Sequence, residues 1–141
     1  MENIYYSSTR GSQNRVLASQ AILQGIADDG GLFVPESMPA IGRPLSALRG
    51  MDYKGMAYFV MSKFFTDFTE DELKGCIHRS YNEKFDSREI APLVKVGDVF
   101  FLELFHGPTL AFKDMALSIL PHLLKTAAKK QGINNEIVIL T

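Results

Sequence analysis

Apolar side chains recur about every 3.6 residues in three stretches of the first 85 residues, and the period changes after Pro92. Ile4-Tyr5-Tyr6-Ser7 predicts a short strand, because tyrosine favours extended backbone, and Ser8-Thr9-Arg10-Gly11-Ser12 breaks it. Leu17, Ala18, Ala21, Ile22 and Ile26 predict a helix over 16–27, with Gly25 inside it weakening it by about 1 kcal/mol relative to alanine. Asp28-Asp29-Gly30-Gly31 is a turn signal, and Leu32-Phe33-Val34 is a strand closed by Pro35. Residues 39–50 hold two prolines and two glycines and read as irregular.

A second helix is predicted from an N-cap at Asp52 to Phe65, burying Tyr53, Met56, Ala57, Val60, Met61 and Phe64 as a core stripe. Thr69 and Glu72 form a capping-box pattern for a third helix. Its apolar face is Leu73, Cys76, Ile77 and Tyr81. Cys76 is read there as a small buried hydrophobe, since no basic partner is spaced to activate it. Residues 86–92 look like a linker. Beyond it, Leu93–Val96, Gly97-Asp98 and Val99–Leu104 predict a β-hairpin. A helix follows over 112–131, with Gly132 just past its end and Lys125, Lys129 and Lys130 as a solvated last turn complementing the dipole. Pro121 predicts a kink or break near Leu120. The apolar run over 136–141 predicts a parallel strand, completing a βαβ arrangement.

Composition changes this picture in a few places. With 141 residues, 46% hydrophobic and 22% charged, the chain is sized for one soluble globular domain. A net charge of −1 gives no electrostatic footprint for nucleic acid or an anionic membrane, so neither is expected as a partner. A single cysteine excludes an internal disulfide and fits a reducing compartment; with no leader visible, a cytoplasmic location is expected. The longest apolar segment, 115–124, is far short of the roughly 20 residues a membrane span needs. A chain ending on so apolar a strand is expected to belong to something longer.

The candidate chemistry is concentrated in Glu103-Leu104-Phe105-His106-Gly107-Pro108-Thr109-Leu110-Ala111-Phe112-Lys113-Asp114. His78, His106 and His122 have no partners at a familiar ligand spacing, so no metal site is expected. Lys113 stands at a helix start, where the macrodipole disfavours positive charge. On residue chemistry alone it is either a surface lysine of a first helical turn or an amine for an imine with an aldehyde cofactor. For the second reading, Gly107 and Pro108 would hold a tight loop, and Phe105 and Phe112 would exclude water. Helix-mouth N–H groups would receive phosphate or carboxylate oxygens. His106 and Thr109 can bond a cofactor or substrate, or His106 can only tie down the loop. Asp114 is expected to stabilise the first turn rather than to act as an acid.

This segment resembles the pyridoxal-phosphate lysine segment of the threonine synthase family. Tyr6-Ser7-Ser8-Thr9-Arg10-Gly11 and Asp29-Gly30-Gly31-Leu32-Phe33-Val34-Pro35-Glu36 are similar to that family's opening segments. The resemblance implies an α/β fold: a helical N-terminal domain, residues 1–85, followed over 86–141 by the start of a tryptophan-synthase-β-like pyridoxal-phosphate domain built of hairpin, loop, helix and parallel strand. It implies conversion of O-phospho-L-homoserine and water to L-threonine and phosphate, by a monomer or homodimer. Lys113 would hold pyridoxal 5'-phosphate and, once displaced by substrate, move protons between the α and β carbons. His106, Thr109 and Arg10 match the family's motifs as active-site neighbours, and Arg10 is open to either an anion or a structural ion pair. The family's glycine-rich phosphate loop would follow Thr141, so the 141-residue chain alone is expected to be inactive. Three alternatives stay open: another pyridoxal-phosphate-dependent (phospho-)lyase, a non-catalytic interaction module of the same fold, and a plain α/β domain with an incidental lysine.

Overall fold

The computed structural model describes residues 3–138. In chain order these form β1 (Tyr6–Ser8), α1 (Ala18–Gln24), β2 (Phe33–Pro35), α2 (Tyr53–Phe64), α3 (Glu70–Ser80), β3 (Leu93–Val96), β4 (Val99–Leu102), α4 (Asp114–Leu117) and α5 (Leu120–Lys130). One 3-10 turn, Leu45–Leu48, interrupts the otherwise irregular 39–50 stretch. The fold is mixed α/β, with two antiparallel two-stranded sheets, β1–β2 and β3–β4.

The first helix is shorter than its apolar pattern. Gly25 ends it, because its φ of 74° lies in the left-handed region that glycine enters without a Cβ penalty. Val16 and Ile26, expected on that helix, are extended instead: Val16 pairs with Tyr6 and Ile26 with Leu32. Ile26 is consequently 62% exposed.

α2 starts as expected, with the Asp52 carboxylate accepting from the Gly55 N–H at 2.8 Å. Its stripe is not the expected core, since no α2 residue is fully buried and Val60 faces outward. Only Tyr53, Ala57, Tyr58 and Met61 reach the core from the side. α3 is different. Thr69 and Glu72 close a reciprocal capping box, and Leu73, Cys76, Ile77 and Tyr81 are buried. The Cys76 thiol is enclosed at 3.3 Å from the Thr126 hydroxyl, as befits an inert core residue.

The long second-half helix divides at Pro121. α4 is a four-residue turn and α5 begins with the proline in its first turn, where the missing N–H costs nothing. α5 packs on α1 and α3 through Leu123 and Ala127 in one continuous cluster with Ala18, Ala21, Leu73 and Ile77. It ends as expected on Gly132 (φ 70°), with Gly132 N–H donating to Lys129 and Ile133 N–H to Ala128, a Schellman closure. Lys130 is not part of a solvated last turn: it reaches across to the Glu72 carboxylate at 2.9 Å. The 86–92 stretch also buries a residue, Ile90, 4% exposed at φ 63°. Of the expected C-terminal strand, residues 136–138 carry no strand pairing, and 139–141 lie outside the described residues.

Candidate active site

The hairpin delivers the candidate segment. Leu93 faces Leu102 and Val96 faces Val99 across it, with Gly97 at φ 61° turning the chain. Pro108 follows Gly107 in a tight turn that the Leu110 N–H closes onto the Gly107 carbonyl at 3.0 Å. Leu110 sits at φ 59°, a left-handed conformation that costs a non-glycine residue on the order of 1 kcal/mol.

Asp114 is what holds this turn. Its carboxylate accepts the Thr109 N–H and the Thr109 hydroxyl, each at 2.7 Å, and its residue is 5% exposed. Those two bonds from Thr109 keep the acid well below the usual carboxylate range. A Cβ on Gly107 would stand 2.4 Å from the Asp114 Cβ, so only glycine lets the loop lie against that side chain. Asp114 is thus the first-turn stabiliser expected, and Thr109 spends both its donors on it. The helix mouth expected to receive phosphate is only a four-residue turn, already closed by this carboxylate.

His106 sits between two acids. Its Nδ1 lies 2.5 Å from Asp86 Oδ1 and its Nε2 2.9 Å from Glu103 Oε2, while its carbonyl accepts the Asp86 N–H at 3.0 Å. Glu103, then Asp86, push the imidazole above its ordinary value of 6.5. Phe105 stacks on the ring at 4.8 Å rather than covering Lys113. His106 ties the loop down, joining residue 86 to the end of the hairpin.

Lys113 immediately precedes α4 and is exposed. Among the described residues, no hydrogen bond or ion pair engages its ammonium group. It stands on the rim of an apolar hollow of about 680 Å³ walled by Leu102, Leu104, Phe112, Met115 and Tyr53. The walls of this hollow are apolar, and among the described residues its one amine is uncommitted. A larger hollow, about 880 Å³, lies elsewhere, between residues 39–43 and α2, and no residue of the 103–114 segment lines it.

Tyr53 escaped the sequence reading as a neighbour of Lys113. Its place on the apolar stripe of α2 predicts core, and nothing local to Asp52-Tyr53-Lys54 signals proximity to a residue sixty positions on. Arg10 is not brought to the lysine by any described contact. Its guanidinium donates to the Asp29 carbonyl at 3.3 Å. Around that contact, the Asp29 carboxylate binds the Ser8 hydroxyl at 2.6 Å and the Gly31 N–H at 2.9 Å. These contacts, the Ser8 bond foremost, hold Asp29 below the usual carboxylate range. Among the described residues no His, Cys, Asp and Glu cluster is arranged to hold a metal, and no helix is long and apolar enough to cross a membrane.

The family model described as "Threonine synthase N terminus" matches residues 5–81. A threonine synthase of Methylobacillus glycogenes is 35% identical over 94% of this chain and 30% of its own length. One of Schizosaccharomyces pombe is 38% identical over 86% of this chain and 24% of its own. The solved structure of a PLP bound threonine synthase from Brucella melitensis superposes with a TM-score of 0.83 at 34% identity, over 92% of this chain and 28% of that one. The chain therefore spans under a third of the length of these relatives. With the family model matching over half of the chain, and with it the β1–β2 pairing, the Arg10–Asp29 turn and the capped α2 and α3, the chain belongs to the threonine synthase family.

Proposed function

We propose that Lys113 is the cofactor lysine of a pyridoxal-phosphate-dependent threonine synthase acting on O-phospho-L-homoserine, and that this chain supplies the lysine half of its site. Residues 1–85 then form the helical N-terminal domain and 86–141 begin the cofactor domain. The observation that supports this best is the uncommitted Lys113 amine on the rim of an apolar hollow, inside a segment of family resemblance. Bound there, pyridoxal phosphate supplies an electron sink for carbanion chemistry at the substrate.

The chain's own residues have plain tasks in this reading. Leu102, Leu104, Phe112 and Met115 offer an apolar wall beside the amine. The Lys113 amine holds the cofactor and then carries a proton between neighbouring substrate carbons. Asp114, Thr109 and Gly107 hold the turn in front of it, and His106 anchors the loop behind it.

The test uses the full-length protein carrying this sequence. A borohydride-reducible visible band is expected with pyridoxal phosphate, and Lys113→Ala is expected to abolish it while the protein stays folded by circular dichroism. A folded wild-type protein with no such band overturns the reading and favours a non-catalytic module. The 141-residue chain alone is expected to form no threonine from O-phospho-L-homoserine, measured by product chromatography.

A further inference from the structure

We propose that Tyr81, the residue closing α3, is a positioning residue for Lys113, acting through the carbonyl of Met115. The inference rests on the reading of Lys113 given above. Its starting point is the break in the second-half helix. The Lys113 carbonyl accepts from both Ala116 and Leu117, at 3.0 and 2.8 Å, which makes the turn. In a continuous helix the Met115 carbonyl would then accept from Ile119. That N–H is turned instead to Ala116, at 3.3 Å, as the chain enters the proline-led α5.

The Met115 carbonyl is taken by a side chain from an earlier helix. The Tyr81 hydroxyl donates to it at 2.7 Å, across 34 residues. Tyr81 is 2% exposed, so its ring has no freedom to follow a moving partner. Tyr53 meets it edge-on, with centroids 4.8 Å apart and planes at 73°, and Tyr53 itself walls the Lys113 hollow. A chain of contacts thus runs from the N-terminal helices to the turn that aims the lysine. Without the hydroxyl, a half-buried carbonyl two residues beyond Lys113 loses its partner, and the least costly remedy is for that short turn to rotate toward water. A displacement near 1 Å at a reacting group is enough to matter.

A matched control exists. The Tyr6 hydroxyl donates in the same way to the Phe64 carbonyl at 3.1 Å, from a residue that is also buried, but neither residue lines the hollow. Tyr81→Phe and Tyr6→Phe are compared in the full-length protein by pyridoxal phosphate retention, by the pH titration of the visible band and by thermal melting. Both variants are expected to melt somewhat lower. Only Tyr81→Phe is expected to weaken retention, roughly five- to tenfold, and to shift the band's titration, the scale of one lost hydrogen bond. Wild-type retention in Tyr81→Phe, or equal weakening in both variants, overturns the proposal. If Tyr81→Phe does not fold, a ring-fluorinated tyrosine at 81 keeps the shape and strengthens the donor; tighter retention then supports the proposal and unchanged retention overturns it. A band that survives Lys113→Ala is a separate result: it removes the reading of Lys113 rather than the Tyr81 contact.

Discussion

Helix α3 and the β3–β4 hairpin are both rich in apolar residues and end in opposite environments. Leu73, Cys76, Ile77 and Tyr81 are each no more than 2% exposed, whereas Leu93, Val96, Phe100 and Leu102 lie between 59 and 61%. The difference is in how the residues are arranged. α3 puts its apolar side chains on one face and Glu70, Asp71, Lys74 and Arg79 on the other, so one neighbouring layer satisfies it. The hairpin register puts Leu93, Phe100 and Leu102 on one face and Val94, Val96, Val99 and Phe101 on the other. A strand apolar on both faces suits the interior of a layered sheet, and two strands alone are marginal in water. The hairpin that delivers the Lys113 loop is therefore built for cover on both sides, while α3 already has its own.

Leu73→Ala should show this contrast most strongly. It removes a side chain from the closed core and is expected to destabilise the protein by about 2–5 kcal/mol, read by denaturant unfolding. A loss near zero would mean that the first-half helices have no settled core. Gly107→Ala comes next. Its Cβ would stand 2.5 Å from the Asp114 carboxylate, and forcing the loop away is expected to cost about 1–3 kcal/mol and to weaken pyridoxal phosphate retention. Normal stability and retention in that variant would show that the Thr109–Asp114 contact is not what holds the turn.

Smaller effects sharpen the joint between the two regions. His106 links Asp86 to Glu103 and has its basicity raised by both, so its stabilising contribution is fully present below its ordinary value of 6.5 and is lost as pH rises through the raised one. Amide protection around residues 103–107, taken relative to the intrinsic exchange rate at each pH, is expected to fall over that rise, and His106→Gln is expected to flatten that fall. The smallest effect belongs to the hairpin. Phe100→Ser in the 141-residue chain is expected to change stability by no more than about 0.5 kcal/mol, with less binding of an apolar dye. A larger loss would show that something within the chain already covers that face.

Several features were legible in the sequence because they depend on near neighbours. The Asp52 cap, the Thr69–Glu72 box, the Gly97 turn, the Gly132 closure and the break at Pro121 are decided within a few residues by backbone geometry and hydrogen-bonding capacity. Residue chemistry left Lys113 open between a surface lysine and an imine-forming amine, and only the family resemblance of its segment pointed to the second. Which apolar residues became core was not legible. Val60 and Leu73 occupy equivalent places in their helical patterns, yet Val60 is 46% exposed and Leu73 1%. Periodicity gives a helix a face, and only packed neighbours give that face something to meet.

The sequence by itself thus determined most of the caps, turns and breaks of the local elements, and it carries the resemblance that singles out the Lys113 segment. The tertiary structure decided that Thr109 answers to Asp114 and His106 to two carboxylates, that Arg10 belongs to the Asp29 turn, that Tyr53 lines the Lys113 hollow, and that the Tyr81 hydroxyl meets the Met115 carbonyl. The reason is distance along the chain. A cap or turn is chosen by interactions within one turn of backbone, whereas these pairings depend on how helices many residues apart settle against one another.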